Sequence, residues 1–582
     1  MIKYARARDR VGPTYTRKRA VTACQVCRFR KTKCDNSRPV CGFCQKSGER
    51  CVFEAPEINN STFDPASLAI LDRLSEISYQ INQTTALTRL QASNSPDSGD
   101  INIVTYALSE QKILEWPIFD RSHDMVSVID SLCATDNYND VVDTGDMPTN
   151  EVCSLIDRFW LNVHIKNPIL ELQSLRASAA KVMKDGFGFD PSSCLLLYVC
   201  ALGAISTPYT YPQTNVDRSS IAVDYSSIQH SLRYFNEASK RLSAVPHYSV
   251  LEIQCYILSG IYQMFIMRPL DAWRQFHTAS VSCQIYLKRN RYKLSNESSG
   301  SVEQRLFWTV LKSECEIRAY LPVPSSGIVN FESPSMFPSP PSIVNSNESS
   351  DHSMEGLGDI CSNIDASVER KSWYYYLTEI VLRKIQNCVI DTLYRETNEC
   401  WTAMPFPTLF EIISEFETQL TMCHRQLVDE ISFDINTLHK HDEIITLLQG
   451  RFWETYNYLY RPVLYCAIHT DVEVTYPQYR EFISTVLDKL FRYSSQSCCS
   501  IYYRHHGTWL LLRSMFNSSL IILAGLKSGK LLYNDYVKEC FMDVLKALRY
   551  WETEAPDLKE IIRLLDNLWT EIRMSLGVDG IM

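Results

Sequence analysis

Residues 24–51 read CQVCRFRKTKCDNSRPVCGFCQKSGERC. Cysteines stand at Cys24, Cys27, Cys34, Cys41, Cys44 and Cys51, a C-x2-C-x6-C-x6-C-x2-C-x6-C spacing whose second half repeats the first. The chain holds 21 cysteines, and the others are scattered from Cys133 to Cys540 without a further C-x2-C pair. Two cysteines at this spacing can bring both thiolates to one tetrahedral zinc, with Zn–S near ~2.3 Å. Six thiolates cannot give two ions four private ligands each, so two of them must bridge. The pseudo-twofold pattern makes Cys24 and Cys41, the first of each half, the natural bridging pair. One zinc then takes Cys24, Cys27, Cys34 and Cys41, and the other Cys41, Cys44, Cys51 and Cys24. A stretch of about 30 residues buries too little apolar surface to fold alone, so metal binding supplies the folding free energy.

Two other uses of six cysteines stand beside this one. A three-disulfide framework fits the number but needs an oxidising compartment. The N-terminus, Met1 to Arg10, has bases but no apolar core of an export signal, and fifteen further unpatterned cysteines follow. A metallothionein-like buffer would spread cysteines more densely and would not need the cations between them. Those cations are conspicuous. Arg28, Arg30, Lys31 and Lys33 fill four of the six positions between Cys27 and Cys34, on what reads as a short helix. Residues 1–53 carry 14 Lys and Arg against Asp9, Asp35 and Glu49, while the whole chain is −9. A basic head on an acidic body directs only the head to a polyanion. Such density suits phosphate neutralisation and the guanine O6/N7 acceptors of the major groove. A solvated basic face or an import signal, which Arg17-Lys18-Arg19 serves equally well, is the plainer use.

The segment Ala23-Cys24 to Cys51-Val52-Phe53 resembles the fungal binuclear zinc cluster domain of transcription regulators. The family's first half, C-x2-C-R-x-[RK]-[RK]-x-K-C-[DS], is matched by Arg28, Arg30, Lys31, Lys33 and Asp35, and Pro39 sits where the family turns between halves. The resemblance implies two zinc ions, double-stranded DNA as partner and a nuclear location. It further implies that Lys31 and Arg30 meet the bases of a CGG-type triplet, with Arg28, Lys33 and Lys46 nearer to phosphate or framework roles. It also implies work with the transcription machinery or co-regulators on a metabolic or secondary-metabolite gene set. A zinc-stabilised basic adaptor for protein or RNA contact, without sequence readout of DNA, is the competing function.

Outward from the cluster, residues 1–23 form a basic tail, 24–53 the cluster domain and 54–65 a linker. Residues 66–91 read as helix, with Ile70, Leu74, Ile77 and Ile81 at 4-3-4 spacing. They make either a short coiled coil that pairs two copies into a homodimer or an amphipathic helix packed on its own chain. Residues 92–149 read as a loop-rich acidic linker, which serves as an activation segment or simply a solvated surface.

Residues 150–582 read as helical almost throughout, so the fold class is mainly α: a small zinc-cluster domain followed by a large all-helical regulatory domain. Leu251, Cys255, Leu258, Tyr262 and Phe265 make one wide stripe, stopped at Arg268-Pro269 and resumed from Asp271. Similar stripes run over Glu303–Ala319, Trp373–Tyr394, Ile444–Leu459 and Val537–Trp551. Six prolines after Leu321 and a Ser/Asn-rich run predict a disordered loop near 321–369. The stretches Phe159–Leu170, Ser193–Leu197, Arg268–Trp273 and Glu303–Trp308 resemble the helical middle region that follows the cluster in fungal regulators. That resemblance implies a regulatory domain whose effector, if any, varies.

Membrane and enzyme readings find little. The apolar run Cys194–Ile205 is too short to span a bilayer, and the one after Trp509 is broken by Arg513 and Asn517. A soluble intracellular chain with no membrane partner is expected. There is no H-E-x-x-H or G-x-G-x-x-G, and Gly525 to Lys530 is one spacer short of a P-loop. His505-His506 and His439/His441 lack metal-site spacing and read as surface or helix-end residues. No enzyme is expected.

Overall fold

Every regular element among the described residues is a helix. The structure, a computed structural model, describes residues 26–27, 30, 32, 34, 41–47, 109, 111–119, 128–133, 148–209, 225–294, 301–331, 366–439, 441–497 and 502–577. By its internal contacts the chain divides into two units, Met1–Ser61 and Thr62–Met582. The first unit holds helix α1, Gly42–Ser47.

The second unit begins, among described residues, with α2 (Gln111–Leu114) and α3 (Val128–Cys133). The linker expected over 92–149 is therefore not all linker. Ile113, Trp116 and Phe119 are fully or almost fully buried, with Trp116 edge-on to Tyr465 at 5.3 Å. Asn398 donates its side-chain N–H to the Lys112 carbonyl at 2.8 Å, tying this segment to the body.

Four helices follow: α4 (Val152–Asn162), α5 (Leu172–Asp185), α6 (Pro191–Ile205) and α7 (Tyr225–Arg241). The start of α6 is written in its residues. Asp190 caps it by accepting from the Ser192 and Ser193 backbone N–H groups at 3.0 and 3.2 Å, and Pro191 fills the first turn, where no donor is needed. The helix is apolar on all sides because it is buried on all sides. Gly203 lets it approach α4: a Cβ there would lie 2.1 Å from the Leu155 carbonyl oxygen, a backbone atom that cannot step aside. Gly203→Ala is expected to cost about 3 kcal/mol or more, at the upper end of overpacking substitutions. A urea melt followed by circular dichroism would read this, and an unchanged midpoint would count against so close a crossing.

Next come α8 (Val250–Phe265), α9 (Pro269–Leu294) and α10 (Ser301–Tyr320). Ser249 Oγ caps α8 at the Glu252 N–H, while Glu252 reaches back to the Tyr248 N–H, a variant of the capping box. The expected stop at Arg268-Pro269 is a turn through Met267 in the left-handed region (φ 57°), with α9 starting at Pro269 itself. Arg305 on α10 is 1% exposed and donates to the Pro168 carbonyl at 2.7 Å and to Glu171 at 2.6 Å. Two of the stretches quoted from the sequence, 159–170 and 303–308, are thereby bound together. His164 within the first of them stacks on Trp160 at 3.7 Å. Its pKa is lowered to about 3, by burial first and then by Arg305, so it is neutral.

Of the loop expected over 321–369, residues 321–331 are packed, with Leu321, Val323 and Ile328 buried, and 366–369 already belong to a helix. Residues 332–365 lie outside the described residues. The C-terminal half comprises α11 (Ala366–Leu393), α12 (Cys400–Ala403), α13 (Phe406–Arg425), α14 (Glu443–His469), α15 (Val472–Thr475), α16 (Arg480–Ser497), α17 (Thr508–Lys527), α18 (Asp535–Trp551) and α19 (Leu558–Ser575). Helix α14 is its axle, buried continuously from Phe452 to Ala467 and contacting α11, α12, α13, α16 and α17. Asp442 caps it at the Ile445 N–H.

Helix α17 has the length and mean hydropathy (1.5) of a membrane span, yet 89% of that stretch is buried by the chain's own helices. The Arg513 that interrupts its apolar run is paired with Asp557 at the start of α19, both side chains 2% exposed or less. One sequence expectation is corrected here. His505 and His506 do sit just before a helix, but not as free surface residues: His505 is 2% exposed, and both imidazoles line a half-open cavity.

Candidate metal centre and nucleic-acid interface

Val26 and Cys27 are helical, with Arg30 N–H donating to the Val26 carbonyl (2.9 Å) and Thr32 N–H to the Cys27 carbonyl (3.0 Å). Cys41 is the cap of α1. Its Sγ accepts the Cys44 backbone N–H at 3.4 Å, the third position of the helix, as a capping serine oxygen would. In this second pair the C-x2-C spacing puts Cys41 at the cap of the helix and Cys44 in its first turn.

Cys27, Cys41 and Cys44 are 0%, 0% and 1% exposed, and their sulfurs all lie within 4.8 Å of one another. Cys27 Sγ and Cys41 Sγ are 3.6 Å apart. Two thiolates on one tetrahedral zinc stand ~3.8 Å apart, whereas a disulfide needs ~2.0 Å. The spacing of this pair is that of co-ligands. The trio joins one cysteine of the first half to the first two of the second, with Cys41 in reach of both others. The donor set, soft sulfurs with no carboxylate among them, fits zinc.

Val26, Phe43 and Cys34 pack around the trio as its thin apolar cover. Cys34 is half-buried and outside the group of three. Arg30 and Lys46, on the two halves, are both exposed. A buried sulfur knot with cations on its outer surface can hold metal inside and meet an anion outside. Cys24, Cys51, Arg28, Lys31 and Lys33 lie outside the described residues, as do Ile70, Leu74, Ile77 and Ile81. The cover residues Val26 and Phe43 were missed by reading cysteines and cations alone; their signal is that they are apolar neighbours of a C-x2-C pair.

Residues 22–59 match the fungal Zn(2)-Cys(6) binuclear cluster domain, whose two zinc ions are what six cysteines at this spacing supply. Residues 156–401 match the fungal specific transcription factor domain. Among curated proteins the chain is similar to the Zn(2)-C6 fungal-type transcription factor afumD of Aspergillus fumigatus, 45% identical over 49 residues, which is 8% of this chain and 13% of the relative. It is also similar to the Thiamine biosynthesis regulatory protein of Saccharomyces cerevisiae, 44% identical over 39 residues, 7% of this chain and 9% of the relative. A third relative is the Oleate-activated transcription factor 1 of the same yeast, 43% identical over 63 residues, 10% of this chain and 5% of the relative. These alignments therefore span at most about an eighth of each relative's length. By these matches residues 22–59 belong to the fungal Zn(2)-Cys(6) binuclear cluster family and residues 156–401 to the fungal specific transcription factor domain family.

Proposed function

We propose that this chain is a nuclear, sequence-specific DNA-binding regulator of RNA polymerase II transcription, not an enzyme, and that its zinc-cluster head reads CGG-type half-sites. The observation that carries the reading is the buried trio Cys27, Cys41 and Cys44 beneath the exposed cations Arg30 and Lys46. In this proposal Cys24 and Cys41 bridge the two ions, Cys27 and Cys34 complete one, and Cys44 and Cys51 complete the other. The metal makes a short basic segment rigid before it meets DNA, so little ordering entropy is lost on binding. Phosphate contacts from Arg28, Lys33 and Lys46 set the register, and Lys31 with Arg30 meets guanine acceptors in the major groove. The relatives' printed names, which mention thiamine biosynthesis and oleate, support a metabolic gene set as target. Residues 66–91, through Ile70, Leu74, Ile77 and Ile81, would pair two heads on one site.

Lys31→Ala is expected to cost ~1–3 kcal/mol on CGG-containing duplex, with zinc content unchanged and little loss on random duplex. Lys46→Ala should instead weaken both duplexes alike and flatten the salt dependence by about one counterion. Fluorescence anisotropy against both DNAs at several salt concentrations, with single-stranded RNA alongside, checks these outcomes. Equal loss on both duplexes for Lys31→Ala, or tighter binding to the RNA, would reject base reading in favour of a basic adaptor.

A further inference from the structure

Helices α10, α11, α14, α16 and α17 and the residues just before α17 line a half-open cavity of about 130 Å³ within the second unit. That volume is near the ~150 Å³ of a cavity known to admit a benzene-sized molecule. Its polar lining is a network of buried charges. Glu316, just behind it, is bound by Arg383 at 2.9 Å and by Arg451. Glu454 takes Arg451 at 3.0 Å and the hydroxyls of Tyr320 and Tyr458 at 2.9 and 2.7 Å. These two carboxylates are fully engaged, and the arginines hold both ionised against the cost of burial.

Two groups lining the cavity are not engaged in this way. Lys312, 6% exposed, makes a single hydrogen bond, to Asn167 Oδ1 at 3.3 Å, and has no carboxylate within ion-pair distance. Glu379, 3% exposed, meets Arg451 only at 3.6 Å through one oxygen, and its Oε1 has no hydrogen-bond partner. Unsatisfied buried charges are costly, and native folds keep few of them without a reason. The same lining holds buried neutral polar atoms without a hydrogen-bond partner: His505 Nε2, His506 Nδ1 and Gln496 Oε1. His505 Nδ1 accepts the Gly507 backbone N–H at 2.9 Å, which puts the ring proton on Nε2, and that buried N–H has no partner. Burial, then the neighbouring His506, Lys166 and Arg451, keep this imidazole neutral.

A glycine also lines this space. Gly450 lies inside α14, where alanine would be the better helix former, and a Cβ built on it meets nothing within 4 Å. The space a side chain would take there is open, on the wall of this cavity.

We propose that this cavity is an effector site for an α-amino acid with an apolar side chain, its carboxylate received by Lys312 and His505 Nε2–H and its ammonium by Glu379 Oε1. The sign of the ligand follows from the charge balance. Lys312, Arg383 and Arg451 are matched by Glu316, Glu379 and Glu454, so a ligand of net charge would leave an uncompensated charge in a buried place. A zwitterion brings none, yet supplies an anion to the lysine and a cation to the glutamate. Trp453 and Leu510 on the cavity wall offer apolar surface to the side chain. The site lies wholly within Thr62–Met582, so it stands or falls independently of the DNA reading.

Isothermal titration of the full zinc-loaded chain with each of the genetically encoded amino acids tests the proposal. An apolar member such as leucine or phenylalanine should bind, while analogues lacking the amine (isocaproate, hydrocinnamate) or the carboxylate (isoamylamine, phenethylamine) bind at least about tenfold more weakly. Lys312→Met and Glu379→Gln should each lose binding by a similar factor. Because those changes disturb a buried network, Gly450→Leu is the decisive variant: it leaves every charge in place, favours the helix and fills the space. It should abolish binding with the thermal midpoint retained or raised. Failure of every amino acid to bind at about 10 mM, equal binding of a singly charged analogue, or undiminished binding by folded Gly450→Leu would overturn the assignment.

Discussion

Cys41→Ser should empty the head of both zinc ions, whereas Cys34→Ser should leave one. In the proposed sharing Cys41 serves both metals, so its loss breaks two coordination spheres at once, while Cys34 serves a single ion. The geometry favours this asymmetry: Cys41 Sγ is 3.6 Å from Cys27 Sγ, in the same tight trio as Cys44, and Cys34 lies outside that trio. Structural zinc contributes ~10–16 kcal/mol to the folding of such small modules at neutral pH, far more than their apolar surface can. The variant's head should therefore be unfolded, and its affinity for specific DNA should fall by more than about a hundredfold. Native mass spectrometry of the whole chain counts the ions directly. Two zinc ions retained in Cys41→Ser, or the same loss from both variants, would remove the bridging role. The helical body should be untouched, since it forms a separate unit with its own core.

Asp557→Asn is the substitution expected to damage that body most for its size. The Asp557 side chain is 1% exposed and Arg513 2%, and Asp557 Oδ2 also accepts the Trp509 indole N–H at 3.2 Å. The guanidinium lies 5.1 Å from the Trp509 ring centre, so the charge sits against aromatic surface without solvent nearby. Removing the carboxylate charge leaves Arg513 buried with its counter-charge gone, which costs about 3–5 kcal/mol in such settings. Replacing both partners, as Arg513→Met with Asp557→Leu, should recover most of that loss, because an apolar pair of similar volume has no desolvation penalty to offset. Urea denaturation of the two variants beside the parent gives the comparison. A single variant no less stable than the parent would show that water reaches this pair.

The same residue illustrates what a one-dimensional reading sees and misses. Arg513 reads as an interruption that disqualifies an apolar run from spanning a membrane. Its helix nonetheless has the hydropathy of a span, and the charge is accommodated by a carboxylate 44 residues further along the chain. Trp116 is a comparable case. A few apolar residues in a polar, turn-rich stretch do not announce that they dock against Tyr465.

The sulfur cluster of the head was legible because its cysteines fall within 28 residues, and coordination geometry ties zinc-binding thiolates to fixed short spacings. The helices of the body were legible too, since amphipathic stripes and the stop at Arg268-Pro269 are local properties of the chain. The cavity was not. Lys312, Glu379, Gly450 and His505 come from four separate stretches, and of these only His505, through its neighbour His506, stands out in the sequence, as a pair that fits no metal spacing. Burial and partnership are properties of where helices cross, not of what they are made of, so only the packed fold could place a lysine without a close carboxylate, a glutamate with an idle oxygen and a missing side chain around one space.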